Sequence, residues 1–156
     1  MSNLEELLME AMNGEIEAKK FYLDASIKAQ SEMGKKLFVE LAEFEQKHFE
    51  HVEKIIESLS NNFGFQDAKY VHDVPSVKSE VEGEIEPNKD EIVSVLALAI
   101  EGEKKAHERY KKIADMFDDE EGKKIFHDLA QDERNHQRIL EDEIYHLSNK
   151  GTIIWG

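Results

Sequence analysis

Six residues in this chain combine a chemistry and a spacing that ordinary helix packing does not explain. Two Glu-x-x-His pairs, Glu45/His48 and Glu133/His136, place a carboxylate and an imidazole one helical turn apart on the same face. Two further glutamates, Glu15 and Glu103, stand in apolar stripes where a hydrophobic residue is expected: Leu8, Ala11, Glu15, Ala18, Tyr22 and Leu96, Ala99, Glu103, Ala106, Tyr110. The Glu-x-x-His pairs interrupt their own stripes in the same way, as Leu41, Glu45, His48, Val52 and Leu129, Glu133, His136, Leu140. Burying one uncompensated carboxylate costs several kcal/mol, so four need a common counter-charge. Protonation could neutralise one or two; divalent cations neutralise all four. One Glu on each of two helices with Glu-x-x-His on each of two others is the dinuclear carboxylate arrangement.

The donor set narrows the metal. Oxygen-rich coordination with one imidazole per ion suits iron, with manganese as the alternative, and fits structural zinc less well. Two iron ions are therefore the expected cofactor. Four carboxylates balance two divalent ions, and an oxo or hydroxo bridge can cancel the charge added by oxidation, so a two-electron couple is feasible. A lone Glu-x-x-His carries little specificity in so acidic a chain, and a lone inward Glu is usually a salt bridge; the weight lies in the set.

That set must be positioned by four elements. Apolar residues recur at helical spacing in four stretches, with charged residues on the remaining faces. The 156 residues fit one domain, with hairpins over 3–60 and 90–148, a crossover over 61–89 and a short tail over 149–156. Only Pro75 and Pro87 interrupt the chain as prolines, which permits long helices. Ser31 and Asp118 or Asp119 are candidate N-caps, so the links within each hairpin are short. The long middle segment can return along the bundle, making helices two and three parallel. The expected fold is an all-α, ferritin-like four-helix bundle built from two helical hairpins.

An internal repeat supports this. Shifted by 88 positions, Gly14, Glu15, Ala18 and Tyr22 fall on Gly102, Glu103, Ala106 and Tyr110, and Glu45 and His48 fall on Glu133 and His136. Gly34-Lys35-Lys36 and Phe38 fall on Gly122-Lys123-Lys124 and Phe126, without a gap. The repeat implies two hairpins related by a pseudo-twofold axis.

Around the six, Tyr22 and Tyr110 lie two turns beyond Glu15 and Glu103 on the same face. Each could donate a hydrogen bond to a ligand carboxylate or turn its hydroxyl to the bundle surface. His107, four residues after Glu103, lies near the same face as a supporting or variant ligand, whereas His51 is expected to face solvent. Ala18 and Ala106 leave space for a small oxidant or simply pack.

The formal net charge of −15 disfavours nucleic acid and anionic membrane as partners. The chain has no cysteine, which excludes disulfides, iron–sulfur clusters and an appended rubredoxin domain within it. No signal-peptide pattern and no membrane-length apolar run are present, so a cytoplasmic protein is expected.

Four segments carry a family resemblance: Gly14 to Tyr22, Leu41 to His48, Glu103 to Tyr110, and Leu129 to His136. Together they resemble the rubrerythrin branch of the ferritin-like superfamily. The resemblance implies ligand roles for Glu15, Glu45, His48, Glu103, Glu133 and His136. It also implies reduction of hydrogen peroxide with electrons from a rubredoxin-type donor. Rubrerythrins carry a further glutamate one turn after the first on the third helix; here that place is Ala106. The expected function is a di-iron oxidoreductase acting on peroxide or dioxygen, with a separate electron-donor protein and a homodimer as the assembly considered. A ferritin-type ferroxidase or iron-handling protein, and a bundle merely stapled by metal, are the alternatives.

Overall fold

The computed structural model describes residues 3–60 and 82–155. Four helices carry the architecture: α1 (Asn3–Lys28), α2 (Glu32–Ser60), α3 (Lys89–Ala114) and α4 (Glu120–Lys150). At 1.5 Å per residue they are roughly 40–45 Å long. Their starts follow from local chemistry. The Ser31 hydroxyl accepts from the Gly34 amide at 2.9 Å, and Asp119 caps α4 by accepting from the Gly122 amide at 3.0 Å. The two caps are 88 residues apart, like the ligands, which resolves the choice between Asp118 and Asp119. Helix α4 ends on Gly151, whose φ of 70° is the left-handed conformation that favours glycine.

Buried side chains fall into two apolar clusters. One is built around Tyr22, Leu37, Phe38, Leu41, Leu96 and Leu140; the other around Leu8, Val52, Tyr110, Ile113, Phe126 and Leu129. The pseudo-twofold exchanges them: Tyr22, Phe38, Leu41 and Leu96 of one match Tyr110, Phe126, Leu129 and Leu8 of the other. Between them runs a belt of buried polar side chains from all four helices.

Helix directions follow from contacts across that belt. Tyr22 meets Glu103 while Tyr110 meets Glu15, so α1 and α3 are antiparallel. Likewise His48 meets Glu133 while His136 meets Glu45, so α2 and α4 are antiparallel. Each hairpin is antiparallel within itself, which leaves α2 and α3 parallel, the one-crossover bundle. Residues 61–81 of the expected crossover lie outside the described residues.

One feature lay beyond the all-α expectation. Strand β1 (Glu84–Ile85) pairs antiparallel with β2 (Thr152–Ile153), in the register Glu84 to Ile153 and Ile85 to Thr152. The ribbon ties the approach to α3 to the tail after α4. Beside it, Glu86 is 2% exposed and accepts from the amides of Gln30, Ser31 and Asn88 and from the Ser31 hydroxyl. An acidic side chain thereby caps the start of α2 from outside the hairpin, where the helix dipole favours negative charge. The tail is held by Trp155, whose indole N–H donates to Glu40 at 2.7 Å, and by the Ile154 amide, which donates to Glu143. Among the described residues, no helix is long and apolar enough to cross a membrane.

Candidate metal centre

Each helix contributes to the belt at mid-length: Glu15 from α1, Glu45 and His48 from α2, Glu103 from α3, Glu133 and His136 from α4. All six are at most 3% exposed. The structure thus brings together every residue that interrupted the four apolar stripes. They form two overlapping groups, Glu15, Glu45, His48 and Glu133, and Glu45, Glu103, Glu133 and His136. In each group, one potential ligand atom per residue lies within 4.8 Å of all the others. Glu45 and Glu133 belong to both, so they are the shared carboxylates. Glu15 and Glu103 each belong to one.

The histidines reach across the bundle. His48 Nδ1 lies 2.7 Å from Glu133 and 3.6 Å from Glu15, and His136 Nδ1 lies 3.0 Å from Glu45 and 3.8 Å from Glu103. Their rings are nearly parallel, with centroids 5.7 Å apart.

So much buried negative charge perturbs the carboxyls. Burial, then repulsion by Glu103, Glu133 and Glu15, raises Glu45 well above the usual carboxylate range. Burial with repulsion from Glu103 and Glu15 does the same to Glu133, against the attraction of His48. Burial also pushes Glu15 upward, but His48 and hydrogen bonds outweigh it and hold Glu15 below its ordinary value. Oε2 of Glu15, Oε2 of Glu103 and Oε2 of Glu133 accept no hydrogen bond from any described residue. Buried carboxylate oxygens without donors are the oxygens a cation would take up. The donor set therefore fits two divalent ions, each facing one imidazole and one unshared glutamate, with Glu45 and Glu133 between them.

Both tyrosine hydroxyls turn inward, and each crosses to the other hairpin. Tyr22 donates to Glu103 at 2.5 Å and Tyr110 donates to Glu15 at 2.6 Å. Burial and the neighbouring carboxylates raise both phenols well above their ordinary value, so they remain protonated donors. One oxygen of each unshared glutamate is thus fixed by a hydroxyl and the other is left for a cation. His107 is not among the cluster: its Nδ1 lies 2.7 Å from the Ala130 carbonyl oxygen on α4. His51 is half-buried rather than solvent-facing, and burial with the charge of His48 and Lys54 lowers it to about 4.

Asp132 was not anticipated. It is fully buried, with Oδ2 3.7 Å from Nε2 of His48. Its twofold mate is Phe44, whose ring stacks on His136 at 5.3 Å.

A one-crossover bundle with two overlapping carboxylate–histidine groups at its centre defines a protein of the ferritin-like superfamily. The rubrerythrin family profile matches residues 6–144, and the chain belongs to that family. It is also similar to the solved structure of a hypothetical protein from Pyrococcus furiosus, at 30% identity and a TM-score of 0.72, over 94% of this chain and 91% of that one. No curated protein matches.

Proposed function

We propose that the protein is a di-iron oxidoreductase that reduces hydrogen peroxide or dioxygen with electrons from a separate donor protein. The observation that carries this reading is the pair of ligand groups sharing Glu45 and Glu133. Glu45 and Glu133 would hold both metal ions, and two ions in one site can act together on one small oxidant. Two iron ions bound there would supply one electron each. Four carboxylates balance two ferrous charges, which favours the reduced pair in an interior that tolerates little net charge.

The chain's own residues do the rest. Tyr22 and Tyr110 hold Glu103 and Glu15 in one orientation from the opposite hairpin. The two apolar clusters close the centre above and below. A cavity of about 280 Å³ reaches the carboxylates Glu15, Glu45, Glu103 and Glu133 between α1 and α3, past Ala18 and Ala106. It is the route by which an oxidant would arrive. Electrons for repeated turnover come from outside, since the chain has no cysteine to hold a second iron centre.

Stopped-flow mixing of the anaerobic ferrous protein with hydrogen peroxide and, separately, with dioxygen tests the proposal. One equivalent of peroxide should oxidise both irons in one kinetic phase. Oxidation by dioxygen alone, followed by release of ferric iron to a larger mineral, would support iron handling instead. No reaction with either oxidant at full iron loading would overturn the oxidoreductase reading.

A further inference from the structure

The cavity between α1 and α3 is larger than peroxide or dioxygen requires. At a liquid share of about 30 Å³ per water, its 280 Å³ would hold roughly nine waters. Its lining includes the apolar side chains of Phe21, Leu98 and Ala99 together with Arg109. The Arg109 guanidinium lies directly over Gly14: a Cβ at position 14 would come within 2.2 Å of one of its terminal nitrogens. The half-buried arginine therefore takes this position because residue 14 has no side chain.

Two features separate Arg109 from a surface cation. It is half-buried, where most of the described lysines and arginines are exposed. Arg109 also breaks the internal symmetry. Its twofold mate is Phe21, and the mate of Gly14, Gly102, has nothing within 4 Å of its would-be Cβ. Lys105, likewise at the cavity, has Glu17 as its mate. The halves agree in the ligands and in the small residues Gly14/Gly102 and Ala18/Ala106 that open the space. They disagree in the rest of its lining: Arg109 and Lys105 on α3 against Phe21 and Glu17 on α1.

We infer that this cavity binds a small organic carboxylate, its carboxyl group on Arg109 and its apolar body against Phe21, Leu98 and Ala99, next to the metal centre. The inference rests on the dinuclear reading above, because without cations the four glutamates of the floor would repel an anion. A guanidinium is the side chain suited to a carboxylate, offering two parallel donors in a planar fork. The apolar wall is what inorganic anions cannot use, and it sets the class of ligand.

Benzoate is the probe, titrated by calorimetry into metal-loaded protein whose metal content is measured beforehand. Saturable binding is expected in the wild type, with acetate at least about tenfold weaker because it lacks the apolar body. Arg109→Gln should weaken benzoate about tenfold or more. Gly14→Ala is the sharper variant. It keeps every charge, displaces the guanidinium, and replaces glycine within a helix, so its melting temperature should rise while its benzoate affinity falls. Benzoate binding unchanged by both substitutions, acetate binding as tight as benzoate, or no binding at two metals per chain would overturn the inference. A metal count well below two would instead strike the dinuclear reading, and is read independently of benzoate.

Discussion

Replacing Glu45 with glutamine should move stability in opposite directions in the metal-free and metal-loaded protein. Glu45 shares its two ligand groups with Glu15, Glu103 and Glu133, with ligating atoms within 4.8 Å of one another. At that separation and an effective dielectric of about 20, two full charges repel by roughly 3.5 kcal/mol. Proton binding relieves part of this, which is why burial and these three neighbours raise Glu45. A carboxyl raised on folding costs nothing below its unfolded value of about 4.3 and costs progressively more as pH climbs toward its folded value. In metal-free protein at pH 7.5, Glu45→Gln should therefore gain about 1–3 kcal/mol, since the amide oxygen can still face the His136 ring 3.0 Å away. The gain should vanish near pH 4. With metal present the sign reverses, because a neutral amide supplies no shared charge and the stabilisation conferred by metal is lost. Urea unfolding in chelator and in excess metal reads both arms, a shift of about 1 M in midpoint corresponding to roughly 2 kcal/mol. A variant that is less stable without metal at pH 7.5, or equally stabilised at pH 4 and 7.5, would refute the claim that these carboxylates are strained against one another.

Other perturbations test the parts that support the centre. Tyr22→Phe and Tyr110→Phe each remove one buried hydrogen bond to an unshared glutamate, and each should lower metal affinity about 10- to 100-fold in competition titrations, to similar extents because the pair is twofold-related. Glu86→Ala leaves the Ser31 and Gln30 amides without their acceptor and should cost about 2–4 kcal/mol in urea unfolding. Burial pushes Glu86 up, but donors from Asn88, Ser31 and Gln30 outweigh it and lower its pKa, so this contribution is present above about pH 4.3 and lost as pH falls through the folded value. Burial raises the Glu143 carboxyl to about 7, so the stability it contributes when protonated should be lost between roughly pH 5 and 8. Glu143→Gln should flatten that slope by up to about 3 kcal/mol.

The helices and the six inward residues were legible in the sequence for one physical reason. A long bundle helix shows its buried face as a stripe, and a charged residue inside a stripe stands out when its twofold mate does the same. The repeat also paired Ser31 with Asp119 as caps. What sequence could not show depends on how helices meet. The sharing of Glu45 and Glu133, and the crossing of each tyrosine to the opposite hairpin, are tertiary facts with no local signature. Asp132 was hidden by its neighbours, since one more acid on an acidic helix carries no contrast. Helical rotation alone points His51 to solvent, yet it is half-buried. The β1–β2 ribbon is two residues per strand, too short for any period to appear.

Counting metal ions per chain, in the wild type and in Glu15→Ala, tests the central claim most directly. Equilibrium dialysis against ferrous iron under anaerobic conditions, followed by elemental analysis, should give two per chain in the wild type. It should give one in Glu15→Ala, because Glu15 belongs to a single ligand group, whereas Glu133→Ala should weaken both positions through the shared carboxylate. A wild-type protein that binds no metal, or a Glu15→Ala protein that binds two as tightly as the wild type, would contradict it.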